Sequence, residues 1–104
     1  MANTSPITKR LKEARLEAEL SQKKLGIAIG IDPFVASPRM NQYETGKHVP
    51  DFAIVEKLAK IVKVPPAFFY TIEDDLAELI KIYGRISKKE QHQLLSFARQ
   101  FASK

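Results

Sequence analysis

Apolar residues recur along this chain at the spacing of helices. Leu11, Ala14 and Ala18 fall at i, i+3 and i+7 and make one narrow stripe. Leu25, Ala28 and Ile29 make a second. Ile54, Leu58 and Ile61, with Val55, Ala59 and Val62 beside them, give a broad apolar face that suits a helix deep in a core. Leu76, Leu79, Ile80 and Tyr83 form a full i, i+3, i+4, i+7 stripe, and Leu94, Leu95, Ala98, Phe101 and Ala102 form another with Phe97 at its edge. Punctuation falls between the stripes. Ser5-Pro6 and Ser21 are helix starts, and Gly30 is a stop. Asp51 caps a helix over 52–62, Pro65-Pro66 starts a short one over 66–70, and Thr71 and Gly84 bound the next. Ser87-Lys-Lys-Glu90 is a capping box that opens a last helix at Lys88. The pattern predicts an all-α protein of seven helical segments.

The third segment carries the chemistry. Ser37 can cap it, Pro38 suits its first position, and Gly46 suits the left-handed turn that ends it. Met40, Tyr43 and Glu44 then share its inner face, while Pro38, Gln42 and Thr45 point outward with Arg39 and Asn41 on the flanks. Asn and Gln side chains can pair bidentately with adenine, and Arg with guanine. The plainer alternative is an ordinary amphipathic surface helix. In the segment before it, Gly26 has no side chain to hold a neighbouring helix off. The free N–H groups of that segment's first turn, with Gln22, Lys23 and Lys24, suit a phosphate. On the first segment, Lys9, Arg10 and Lys12 belong to the solvated face.

Composition narrows the partner. The chain has 104 residues, a formal charge of +5 and no Cys. That length suits one small domain with an appendage. The charge favours an anionic partner, nucleic acid first. Without Cys there is no disulfide framework and no thiolate metal site. No secretory h-region and no apolar run of about 18 residues is present, so a cytoplasmic protein with no membrane contact is expected. No enzyme emerges. A phosphate-cradling Gly motif is missing, and His48 and His92 lie in different segments. Glu73, Asp74 and Asp75 favour a helix N-terminus over a catalytic or metal cluster. No cofactor, metal or small-molecule ligand is expected.

Two stretches, RLKEARLEAELSQKKLGIAIGI and MNQYETGKHVPDFAIVEKLAKIVKVPPAFFY, resemble the Cro and phage-repressor type of helix-turn-helix regulator, the XRE-like family. The resemblance covers about residues 10–70. It implies a lambda-repressor-like domain of five short helices over 6–70, with its third helix in the major groove of double-stranded DNA. It implies that Gln22 contacts phosphate and braces the recognition helix, and that Ser37, Pro38, Arg39 and Gln42 lie nearest the bases. Lys47 then grips the backbone, and Arg15 and Glu44 form an ion pair between the first and third helices. Lys24 and Asn41 complete the expected DNA-binding set.

Two features depart from the family. The turn IDPFVAS is about four residues longer than usual. Phe34 within it is expected to tuck onto the core, the alternative being a loop that reaches the DNA backbone or a partner. Pro38 replaces a hydrogen-bonding side chain and could touch only an apolar group such as a thymine methyl.

Residues 71–104 form a two-helix hairpin beyond the family core. It either folds back or pairs with a second chain. Pairing is preferred, through Leu76, Leu79, Ile80, Tyr83, Leu94, Leu95 and Phe101. The resulting expectation is a homodimeric transcription regulator, a repressor, on a pseudo-palindromic operator. The alternative is a protein-interaction module of the antitoxin kind that docks a partner through the hairpin.

Overall fold

The Ser5 side chain accepts from the Ile7 N–H, and Pro6 follows at the first helical position of α1 (Pro6–Glu17). In this computed structural model, which describes residues 5–103, five further α-helices follow. They are α2 (Gln22–Ala28), α3 (Pro33–Thr45), α4 (Phe52–Val62), α5 (Asp74–Arg85) and α6 (Lys88–Ala102), with a 3₁₀ turn over Pro66–Tyr70. No strand occurs among the described residues. The first four residues, part of the segment read as lacking an h-region, lie outside the description. No helix among the described residues is long and apolar enough to cross a membrane.

The expected caps form at several starts. Ser21 accepts from Lys24, Asp51 from Ile54, and Ser87 and Glu90 close their capping box. Gly46 takes the left-handed conformation after α3, at φ 80°. Gly30 is likewise left-handed, at φ 96°. The core gathers Ile7, Leu11 and Ala14 of α1 with Leu25, Ile29, Met40 and Tyr43. Val55, Leu58, Ala59 and Val62 of α4 close it with Phe68, Phe69 and Ala77.

The largest departure from the sequence reading is α3. It begins at Pro33, capped by Asp32, whose carboxylate accepts from the Phe34 N–H at 2.8 Å. Ser37 is therefore not a cap, and Pro38 is not a first residue but lies inside the helix. The four extra residues are not a loop. They add one turn to the front of the helix, which keeps its faces in phase because four residues are close to a full turn. Ala36 thus falls one turn before Met40 on the buried side. Phe34 is not in the core; it is 95% exposed.

Smaller corrections follow from packing. Ala18 and Ala28 are exposed, so both inner stripes are shorter than their spacing suggests. Thr71 does not cap α5, which starts at Asp74 behind Glu73. The Thr71 hydroxyl instead donates to the Ala67 carbonyl at 2.7 Å. Gly84 lies within α5, where a Cβ would come 2.5 Å from Pro65 Cδ. Arg10 is not on a solvated face. It is 1% exposed, and its guanidinium lies 5.8 Å from the Phe68 ring centre.

Ion pairs fasten α5 to the body. Lys9 and Arg10 both reach Asp74, at 2.8 and 3.0 Å. Glu17 receives Lys81 at 3.0 Å and Arg85 at 2.6 Å. Arg85 also donates to the Val62 and Lys63 carbonyls at the end of α4. The Glu17 pKa falls from 4.5 to about 2, first through the Arg85 hydrogen bond, against burial, with Lys81 adding to it. A carboxylate with a lower pKa in the fold stabilises it above the unfolded value and stops doing so as pH drops through the folded one. Thermal stability should therefore fall between about pH 5 and pH 2, and more steeply than in Glu17→Gln. Parallel melting curves of the two proteins across that window would remove the assignment. Because Glu17 is partly exposed, the difference should be modest and should shrink with salt.

The last helix stands apart. α6 carries only half-buried and exposed residues. The radius of gyration is 15.4 Å, against about 13 Å for a compact chain of this length.

Candidate nucleic-acid interface

The site is built on the joint between α2 and α3. Gly26 is buried, and a Cβ there would lie 2.8 Å from the Ala36 Cβ and 3.1 Å from the Ala36 carbonyl. The two helices therefore touch almost backbone to backbone, as the glycine suggested. The partner is Ala36, in the added turn.

Behind α3, Arg15 and Glu44 form a two-pronged ion pair. Nε donates to Oε2 at 2.5 Å and Nη2 to Oε1 at 3.0 Å. The carboxylate side chain is 4% exposed and the guanidinium 11%. The third Arg15 donor, Nη1, reaches the Leu20 carbonyl at 3.0 Å, which ties down the link between α1 and α2. The Gln22 amide donates to Glu44 at 3.2 Å and to Asn41 Oδ1 at 3.3 Å. This one side chain anchors to the buried pair and orients a residue on the outer face.

The outer face is a stripe with a regular period. Phe34, Pro38, Asn41 and Thr45 are exposed and recur at four, three and four residues. Gln42, partly buried, lies beside it. Arg39, Gln42, Tyr43, His48 and Val49 line a shallow groove of about 450 Å³ under the end of α3. Lys24 on α2 and Lys47 in the following loop are exposed on the flanks, while Ser37 is half-buried. The expected base-facing residues thus occur on one helix, with lysines on adjoining segments. The ion-pair residues lie inside. No cluster of three or more His, Asp or Glu suited to a metal occurs among the described residues.

A family model for the helix-turn-helix domain matches residues 7–67. The chain belongs to the helix-turn-helix family. Its fold is also that of a solved structure, the transcriptional regulator BswR. That protein is 44% identical, with 89% of this chain and 92% of the other covered at a TM-score of 0.84. Such coverage leaves only about a tenth of this helix-turn-helix chain outside the match, so most of 71–104 is shared as well. No curated protein gives a significant match.

Two side chains stand where local pattern does not place them. Phe34 is exposed, although an apolar residue in a loop usually packs. The signal for its true position was Asp32-Pro33, which reads equally as a turn and as a capped helix start. Arg10, away from this interface, is buried between α1 and the start of α5, although a charge on an amphipathic helix is most often solvated.

Proposed function

We propose that this protein is a sequence-specific double-stranded DNA-binding transcription regulator. The observation that supports it most is the outer stripe of α3, held from behind by Gln22 and the Arg15–Glu44 pair. Rigid presentation of amide side chains is what reading base edges in a major groove requires. Arg39, Asn41 and Gln42 supply base choice. Lys24, Ser37 and Lys47 supply phosphate contacts, together with the backbone N–H of Gln22 at the start of α2. The Gln22 side chain is engaged with Glu44 and Asn41, and Pro38 adds an apolar contact. Contacts to phosphate give most of the affinity and a steep salt dependence.

A homodimer is part of the proposal, with 6–70 as the reading unit and 71–104 as the pairing element. Leu76, Leu79, Ile80 and Tyr83 of α5 face Leu94, Leu95 and Ala98 of α6 across a groove of about 440 Å³, floored by Pro65 and Ala67. Phe101 stands edge-on to Phe97 at 5.1 Å beyond it. A second hairpin covers this surface. Two reading helices then meet half-sites about one helical turn apart on a pseudo-palindromic operator. A repressor acting in the cytoplasm completes the proposal.

Selection from a randomised duplex pool tests the reading. The expected result is a two-fold symmetric motif, and sedimentation at micromolar concentration should show a dimer. Gln42→Ala should relax preference at particular base pairs, at about 1–3 kcal/mol each. Lys47→Ala should weaken all duplexes alike and lower the salt slope by about one. Identical behaviour of the two variants across operator substitutions would refute the division of roles. Failure to bind any duplex would favour docking of a protein partner in the hairpin groove.

A further inference from the structure

The stripe that carries Asn41 begins with an aromatic ring that the chain itself leaves uncovered. Phe34 is 95% exposed at the second position of α3. It lies four residues before Pro38 and seven before Asn41, on the same side of the helix. A ring so placed contributes almost nothing to its own fold and leaves apolar surface in water. Within α3 the exposed apolar residues beside it are Pro33, Val35 and Pro38, and the stripe then turns polar at Asn41 and Thr45.

We infer that Phe34 is a base-reading residue that recognises the 5-methyl group of thymine in the major groove. The inference rests on the DNA-binding reading above. Three observations lead to it. Phe34 is continuous with the proposed reading stripe. It stands at the leading end of the helix, the end whose residues meet base edges when a recognition helix docks. The extra turn extends that end by about 6 Å along the helix axis and carries Phe34 with it. The chemistry selects the ligand. Base edges in the major groove present donors and acceptors and a single kind of apolar group, the thymine methyl, which phenylalanine can contact. Pro38, one turn behind on the same stripe, offers a second apolar contact of the same kind.

The test uses the full-length protein and the duplex enriched by selection, with each thymine replaced in turn by uracil. That change removes a methyl group and leaves every hydrogen-bonding atom in place. Binding is read by fluorescence anisotropy for the natural protein, Phe34→Ala and Phe34→Leu. The natural protein should lose about fourfold in affinity at one or two thymines per half-site, the factor that corresponds to one buried methyl-sized group. Phe34→Ala should bind the thymine and uracil duplexes equally at those positions while Gln42-dependent preferences persist. Phe34→Leu should keep most of the thymine preference. Because Phe34 is exposed, thermal melting of all three should coincide. The same thymine-to-uracil ratio at every position in the natural protein and Phe34→Ala would overturn the assignment. Absence of an enriched duplex would overturn the regulator reading first, in an experiment that contains no uracil, so the two failures are distinct.

Discussion

Arg10→Ala is expected to lower the stability of the fold by about 3–5 kcal/mol, the range for losing one partner of a buried ionic network. Three of the donor groups on this guanidinium have fixed tasks. Nε donates to the Thr71 carbonyl at 2.9 Å and Nη2 to the Ile72 carbonyl at 2.8 Å. Nη1 meets the Glu13 carboxylate at 3.1 Å and Asp74 at 3.0 Å. Alanine would leave carbonyls without their donor and open a cavity against Phe68. Lysine restores the charge but not the planar fork that spans two adjacent carbonyls, so Arg10→Lys should recover little. Urea unfolding, monitored by circular dichroism, reads the change. A loss below about 1 kcal/mol would place Arg10 with the surface pairs. The same network joins α1 to the start of α5. Loosening it should therefore disturb the hairpin before it disturbs the α2–α3 joint.

Glu44→Ala should cost a similar amount, about 3–5 kcal/mol, and should also weaken DNA binding. The stability loss arises because Arg15 keeps its charge in a largely buried place with no carboxylate to face. The binding loss arises because the Gln22 amide loses an anchor, and with it the orientation of Asn41. Arg15→Ala should resemble it in stability. Lys12→Ala, at an exposed position on the same helix, should change little. Equal melting temperatures for Arg15→Ala and Lys12→Ala would remove the idea. A double-mutant cycle separates the pair from the penalty of orphaning one member. Arg15→Met with Glu44→Leu should regain much of the stability that either alanine loses, yet Gln22 would still lack its acceptor. Stability and base preference would then part company, which an exclusively structural role for the pair does not allow.

Most of the architecture was legible because local signals agreed with one another. The caps at Ser5, Ser21, Asp51 and Ser87 stand where the apolar periodicity begins, so pattern and hydrogen bonding predicted the same helix starts. The front of α3 was not legible because its signals conflict. Asp32-Pro33 opens a helix and Ser37-Pro38 offers a second opening five residues on. An interior proline removes the N–H that would meet the Phe34 carbonyl, so the later start looked better on local grounds. Packing decided the matter. Ala36, Met40 and Tyr43 continue one buried stripe against α2, and that burial outweighs one missing rung. Arg10 shows the complementary limit. Apart from Glu13 one turn on, its partners lie about sixty residues away in sequence, and no local pattern announces them. The Arg15–Glu44 pair was within reach only because the family resemblance supplied its two members together.

The contact between Gly26 and Ala36 bears on how such a protein acquires new targets. The angle between α2 and α3 is set where Gly26 meets Ala36 almost backbone to backbone, with the Met40 side chain packed beside them. Phe34 and Thr45, exposed on α3, stand outside this joint, whereas Asn41 is tied to α2 through Gln22. Phe34 and Thr45 can therefore be exchanged together without disturbing the angle between the two helices. A lineage carrying this joint could drift from one operator to another by changing letters on an unchanged reading head, and a laboratory retargeting effort would do well to vary those positions and leave position 26 alone.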